Sequence, residues 1–236
     1  MFEGRTIAVI IPAAGAGTRM GSEQPKQFVE LAGTPILVHT LHQFALLPEI
    51  DTIVIAAAVS EMEFIRNLCA TPQLSKVREV VAGGAQRQDS VWNALRSLNL
   101  QPQDLVLVHD AVRPFVTDRI IRDVYSAATM HGAAVPVVTP KDTIAKLEAE
   151  GSVDSTLVRD KLGIVQTPQG FTYSVLMASY EKAYADSYYS TDEASLVRRM
   201  GYVVATVQGS YQNLKITTPD DLSLARVMLT GGTITS

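Results

Sequence analysis

The sequence predicts an α/β fold, a mostly parallel sheet covered by helices on both faces, and three observations carry that expectation. Short apolar runs recur along the chain, separated mostly by stretches with helical spacing. The first run, Thr6 to Ile11, is dense in β-branched residues and continuously apolar rather than alternating, as a strand buried on both faces requires. A glycine-containing loop follows it directly, where open α/β sheets bind nucleotides. The 236 residues, 47% of them hydrophobic, suffice for one domain over 1–236 with its own core. Lys and Arg total 20 against 24 Asp and Glu, a net charge of −4, so no broad basic field exists for a nucleic acid backbone or an anionic membrane. Neither is expected as a partner, and an anionic substrate must be met locally. The single cysteine, Cys69, excludes an internal disulfide. No signal peptide is visible after Met1, and no apolar stretch approaches the roughly 20 residues that span a bilayer. A soluble cytoplasmic protein is the expectation.

Taken in order, the strand Thr6 to Ile11 should stop at Pro12, and further strands are expected at Thr52 to Ala57, Val77 to Val81, Leu105 to Val108, Ala133 to Val138 and Val203 to Val207. Val91, Ala94, Leu95 and Leu98 follow i, i+3, i+4, i+7, one apolar stripe of a helix that leaves Arg87 and Arg96 in water. Ser60-Glu61-Met62-Glu63 fits a capping box. Thr218-Pro219-Asp220-Asp221 places a hydroxyl at the N-cap, proline at the first helical position and acids in the first turn. The stretch 139–163 breaks the rhythm. It is charged, with β-like pieces at Thr143 to Leu147 and Ser155 to Val158 around a turn at Glu150-Gly151-Ser152, and reads as a hairpin arm inserted in the domain. An isolated hairpin is marginal in water, so the arm should lean on a second subunit or on its own domain.

The loop Pro12-Ala13-Ala14-Gly15-Ala16-Gly17-Thr18-Arg19-Met20 has small residues that let backbone N–H groups approach a phosphate or base, although a tight strand-to-helix turn without ligand needs the same residues. The dinucleotide fingerprint fails, because Met20 stands at the third glycine position and the second strand runs out through Ala56-Ala57-Ala58-Val59 without an acid. A Walker loop fails too, since Gly17-Thr18-Arg19 replaces its Gly-Lys-Ser/Thr. Arg19 and Lys26 bring two cations close to the glycine turn, and Pro25 stiffens the chain before Lys26, an arrangement suited to a triphosphate whose charge must be neutralised during transfer.

The same loop with Pro25-Lys26-Gln27 resembles the signature of sugar-phosphate nucleotidyltransferases. Gly83-Gly84-Ala85-Gln86-Arg87-Gln88-Asp89-Ser90-Val91, His109-Asp110-Ala111-Val112-Arg113-Pro114, Gln166-Thr167-Pro168-Gln169, Thr191-Asp192-Glu193-Ala194 and Asn213-Leu214-Lys215-Ile216-Thr217 narrow the likeness to the 2-C-methyl-D-erythritol 4-phosphate cytidylyltransferase family, in family order over essentially the whole chain. The resemblance implies a Rossmann-like domain whose β-arm builds a homodimer. It also implies the joining of CTP to methylerythritol phosphate with release of pyrophosphate, in non-mevalonate isoprenoid synthesis. A phosphate monoester is largely dianionic at pH 7, so this reaction asks for no side-chain base, consistent with a chain that shows no Ser/His/Asp or Cys/His constellation.

By the same resemblance Arg19 and Lys26 stabilise the transition state, and Arg159 and Lys215 position the attacking phosphate. Ala13, Ala14, Gly15, Gly17, Gly83, Ser90, Asp110 and Ala111 hold the nucleotide, and Thr143, Arg159, Thr167 and Lys215 hold the acceptor, some reaching across the dimer. Asp110, at the end of a strand, suits Mg²⁺ on the triphosphate but equally an N-cap or an ion pair with Arg113; the family match favours the metal. Ser90 also suits a helix-start hydroxyl. Val158 and Gly163 depart from the family pattern, on the acceptor side. His39 and His42 lack a third ligand and read as packing or surface histidines, Cys69 as helix packing, and His131 as a cation at a helix end beside Gly132. Two other readings compete: a ribitol-5-phosphate cytidylyltransferase of the same fold, and a non-catalytic nucleotide sensor, which would not need Arg19, Lys26 and Lys215 together.

Overall fold

The computed structural model describes residues 2–15 and 25–231. In chain order its elements are β1 (Ile7–Pro12), a small hairpin of β2 (Glu30–Leu31) and β3 (Thr34–Pro35), α1 (Ile36–Ala45), β4 (Thr52–Ala57), α2 (Met62–Cys69), β5 (Val77–Ala82), α3 (Arg87–Ser97), β6 (Leu105–Val108), α4 (Asp118–His131) and β7 (Ala133–Val138). The arm follows as β8 (Ala145–Leu147) and β9 (Val153–Thr156), then β10 (Ile164–Val165), β11 (Gln169–Thr172), α5 (Tyr173–Ala185), α6 (Glu193–Arg199), β12 (Ala205–Gln208) and α7 (Pro219–Thr230).

The central sheet runs β5-β4-β1-β6-β11-β7-β12, with β10 pairing along β7 beyond β11. All pairings are parallel except those of β10 and β11. The strands alternate faces without alternating polarity. Ile7, Val9 and Ile11 of β1 pack with Leu41, Phe44 and Val124 from α1 and α4, while Ile10 packs on the other face with Val91, Leu95 and Tyr180 from α3 and α5. Both faces being covered is why these strands read as apolar runs. The connections diverge on either side of β1, to β4 and to β6, so a crevice opens at the carboxyl ends of β1 and β6. A smaller cluster of Leu31, Ile36, Val112, Ile216 and Ala225 seats α7 against the hairpin and the chain after β6.

Several expectations need correction. β1 stops at Pro12 as expected, but it starts at Ile7 rather than Thr6 and takes in the proline as its last residue, and the next amide, Ala13, still donates to the Ala56 carbonyl at 2.7 Å. The last strand starts at Ala205, not Val203, because pairing with β7 begins at Ala205↔Ala134 and Val203 is exposed. Ser60 caps nothing: residues Val59–Glu61 form a 3₁₀ turn, and α2 begins after Glu61 without a side-chain cap. Leu98 lies just past the end of α3. Arg96 is exposed, but Arg87 is not in water; it is half-buried in ion pairs. The first arm strand starts at Ala145 rather than Thr143, which precedes it, and the second lies two residues earlier than expected, at Val153–Thr156. The capping box at Thr218 does form, with Pro219 first in α7 and Asp221 closing it, and α4 ends at His131 with Gly132 left-handed at φ 82°. His39 bonds the Leu31 carbonyl at 2.9 Å, and Cys69 is buried at the end of α2, where burial pushes its thiol up to about 11. Among the described residues no helix is long and apolar enough to cross a membrane.

Candidate active site

A cleft of about 260 Å³ lies at the carboxyl ends of β1 and β6. Its floor is Pro12, Ala13, Ala14 and Gly15 leaving β1, one wall is Gly84 to Arg87 and Ser90 at the start of α3, and the other is Asp110 and Ala111 after β6 with Lys26 and Lys215. Gln27, buried, donates to the Ala13 carbonyl at 2.7 Å and pins the segment after the glycine loop to the end of β1. A Cβ on Gly83 would lie 2.4 Å from the Ala14 Cβ and 3.0 Å from the Ser90 Oγ, so glycine is what lets the loops after β1 and β5 touch. Ser90 accepts from the Gly84 amide and donates to the Gln86 carbonyl, each at 3.1 Å. Its hydroxyl therefore braces the wall it lines, the helix-start role the sequence also allowed.

Asp110 sits at the centre. Its Oδ2 meets the Lys215 Nζ at 2.9 Å and the Arg113 Nε at 3.2 Å, and its Oδ1 faces the Arg87 Nε at 3.7 Å. Burial pushes the carboxyl up, but the combined charges of Lys215, Arg87 and Arg113 outweigh it and hold Asp110 well below the usual carboxylate range. Of the roles open to it in the sequence, the Arg113 ion pair is realised and helix capping is not. Among the described residues no three His, Cys, Asp or Glu side chains group together as a metal cage. An ionised carboxylate whose Oδ1 makes no hydrogen bond among the described residues, with Arg87 Nε 3.7 Å away, fits Mg²⁺ in the mode where the ion is shared with substrate phosphates.

A buried network fixes Asp110 from behind. The carbonyl of Arg113 can only accept, so His109 donates to it through Nε2 at 3.1 Å, and Nδ1 accepts the Thr167 hydroxyl at 3.0 Å. Thr167 Oγ1 in turn accepts the Asp110 amide at 3.1 Å. Asn213 donates to the Thr167 carbonyl at 2.9 Å, and its own carbonyl receives Arg113 Nη1 at 2.7 Å. The motifs around Asp110, Thr167 and Lys215 are thus tied together, and the Thr167 hydroxyl is committed inside the protein. Burial lowers the pKa of His109 to about 4, so its ring is neutral at pH 7.

Arg87, Asp110 and Lys215 also line a second compartment of about 240 Å³, closed by Arg113, Thr167, Gln169, Thr191 and Asp192. Arg87 reaches Glu193 with both Nη atoms, at 2.6 and 3.0 Å. The structure therefore gathers Ala13, Ala14, Gly15, Gly83, Ser90, Asp110, Ala111, Lys26, Lys215 and Thr167. Thr143 and Arg159 are not brought to either compartment: both are exposed on the arm, where Arg159 donates to the Lys141 carbonyl at 2.7 Å. Arg19 and Gly17 lie outside the described residues. In the sequence Arg113 reads only as an ion-pair partner for Asp110 and Arg87 only as a solvent-facing helix residue, while His109, Asn213 and Glu193 carry no role; the one signal for all five is their place in the quoted motifs.

Comparison with known proteins bears on this site. The family model for 2-C-methyl-D-erythritol 4-phosphate cytidylyltransferase matches residues 7–231. The curated protein of that name from Syntrophus aciditrophicus is 45% identical over 94% of this chain and 95% of its own length, and the one from Bacillus cereus (strain ATCC 14579) is 44% identical over 94% and 96%. Among solved structures, 4-diphosphocytidyl-2C-methyl-D-erythritol synthase from Anaerococcus prevotii superposes with a TM-score of 0.83 at 31% identity, covering 97% of this chain and 100% of that one. The Thermus thermophilus cytidylyltransferase gives 0.78 at 34% identity, over 95% and 99%.

Proposed function

Since the chain belongs to the 2-C-methyl-D-erythritol 4-phosphate cytidylyltransferase family and is a nucleotidyltransferase of isoprenoid biosynthesis that joins CTP to methylerythritol phosphate, we propose that the cleft beside Asp110 holds the CTP and the compartment behind it receives the acceptor phosphate. The observation that carries this is the wall between them: Arg87, Asp110 and Lys215 line both spaces, so the α-phosphorus and the attacking oxygen would meet there.

In this reading a phosphate oxygen of the acceptor forms the new bond to the α-phosphorus as the bond to pyrophosphate breaks, and the negative charge leaves with pyrophosphate. No proton need be removed from the nucleophile. The chain's task is to hold two anions in line and to lower their repulsion, which falls to Lys26, Lys215 and Arg19. Ala13, Ala14, Gly15 and Gly17 offer backbone to the nucleotide, with Gly83 and Ser90 shaping the base and ribose side. Asp110 would help hold a divalent cation, Mg²⁺ being the natural one, which when bound neutralises triphosphate charge. Thr167 contributes by holding the Asp110 amide with its hydroxyl rather than by touching the substrate. The protein acts as a homodimer in which Thr143 and Arg159 of each arm complete the partner's acceptor compartment, a role supported by their exposure on the arm and by neither lining a compartment of its own chain. A cytoplasmic location suits a chain whose sole cysteine is buried and reduced.

The test is product analysis. With CTP, Mg²⁺ and methylerythritol phosphate the protein should release pyrophosphate, and with ribitol 5-phosphate it should not; the reverse result would move the acceptor assignment to the ribitol enzyme.

A further inference from the structure

We infer that Glu193 is a positioning residue of the nucleotide cleft, a buried carboxylate that aims Arg87 at incoming phosphate and keeps it from closing on Asp110. The inference rests on the reading of that cleft as the CTP site.

Glu193 is 1% exposed, and both its oxygens are taken. Arg87 approaches them with a two-pronged fork, which fixes the plane of the guanidinium as well as its distance. The Tyr180 hydroxyl donates to Oε1 at 3.0 Å. Held this way, Arg87 leaves its Nε 3.7 Å from Asp110 Oδ1, near enough to act on its charge and too far for a hydrogen bond.

The next two residues of α3 are gripped from the same direction. The Gln88 amide donates to the Tyr188 carbonyl at 3.0 Å and accepts the Ser190 amide at 2.8 Å. Asp89 accepts the Tyr184 hydroxyl at 2.7 Å while its other oxygen accepts the Gln86 amide at 2.9 Å. Three consecutive residues in the first turn of α3 are therefore fastened to segment 184–193, which also supplies Thr191 and Asp192 to the second compartment. Glu193 is the member of this clamp whose partner reaches the site. Without its charge, Arg87 would be a half-buried cation beside Asp110 with that carboxylate as its nearest anion. It would pair there and be lost to the substrate.

The experiment uses full-length protein and four forms: wild type, Glu193→Gln, Arg87→Ala and the double variant. CTP affinity is measured by calorimetry with Mg²⁺, and pyrophosphate release is followed with methylerythritol phosphate. Near-UV circular dichroism of Trp92, stacked on Tyr180 with ring centroids 5.5 Å apart, reports whether each variant folds. Glu193→Gln should weaken CTP binding about tenfold or more, yet have less than a twofold effect when Arg87 is already alanine, because a residue that acts only through Arg87 has nothing left to position. Equal losses in both backgrounds, or no loss in the first, would overturn the inference. If Glu193→Gln does not fold, Glu193→Asp keeps the charge but shortens the reach, and should weaken CTP binding severalfold; wild-type affinity there would overturn it as well. Wild-type protein that binds no CTP would instead overturn the reading of the cleft.

Discussion

His109 is fully buried yet polar on both sides of its ring, between the Arg113 carbonyl and the Thr167 hydroxyl, with Phe44 edge-on at 4.8 Å. Burial depresses its pKa from 6.5 to about 4. The unfolded chain thus binds a proton that the folded one refuses, so this group's stabilisation is complete above about pH 6.5 and is lost as pH falls towards 4. The slope in that window is at most about 1.4 kcal/mol per pH unit. Asp110, held ionised in the folded chain, adds to the same loss only below about pH 5, where the unfolded carboxylate begins to take up protons. Urea midpoints from pH 7.5 to 4.5 should show His109→Gln less stable at pH 7.5 by about 1–3 kcal/mol, for the broken buried network, but flatter with pH than wild type. Parallel profiles would assign the slope to other groups. At this scale the sequence was legible where chemistry is local. Asp110 ends an apolar strand, and Gly83 and Lys215 sit in ordered motifs. Arg87 was misread because periodicity tells which side of a helix meets the sheet and not what its first turn faces, and its partner Glu193 stands 106 residues away.

Among the elements, β1, β4, β6 and β7 were legible because each is an apolar run closed off by turn residues. β11 was not, since Gln169-Gly170-Phe171-Thr172 has one large apolar side chain. Its fit is decided by neighbours: a Cβ on Gly170 would come within 2.7 Å of Val124 and 3.0 Å of Leu107. Nothing in the sequence announces that crowding, nor that an antiparallel strand joins β6 to β7. The start of α7 is the opposite case, written entirely in local chemistry. Thr218 Oγ1 accepts the Asp221 amide at 3.2 Å, and Asp221 Oδ2 accepts the Thr217 and Thr218 amides at 2.9 and 2.8 Å. Thr218→Ala should cost about 1 kcal/mol, read as a lowered thermal midpoint. Because Ile216 donates to the Val112 carbonyl at 2.9 Å independently of the cap, Lys215 should stay in place and kcat should remain within twofold of wild type. A large loss of kcat would mean that the cap, and not that strand-like contact, orients Lys215.

For the whole molecule, the division of labour between cleft and arm predicts a complementation. Lys26 lines the cleft of its own chain, whereas Arg159 lies on the exposed arm. If each site takes Lys26 from one subunit and Arg159 from the other, Lys26→Ala and Arg159→Ala proteins, each inactive, should regain activity when mixed under subunit exchange. Equal mixing makes about half the dimers mixed, each with one intact site of two, so recovery should approach roughly a quarter of wild type. Verified mixed dimers without activity would place both residues in one chain's site.

Val138, the last residue of β7, pairs with Ile164, the first of β10. The chain leaves the sheet at Val138 and re-enters it as the antiparallel neighbour of the same residue, so everything from 139 to 163 hangs on two adjacent points of one ladder, where a tight turn would also close the strands. Within that length only Pro140 is buried. The arm is thus a detour in the chain's path rather than part of its weave: its length and composition can drift, or be exchanged for another hairpin, without rethreading the sheet that carries the cleft.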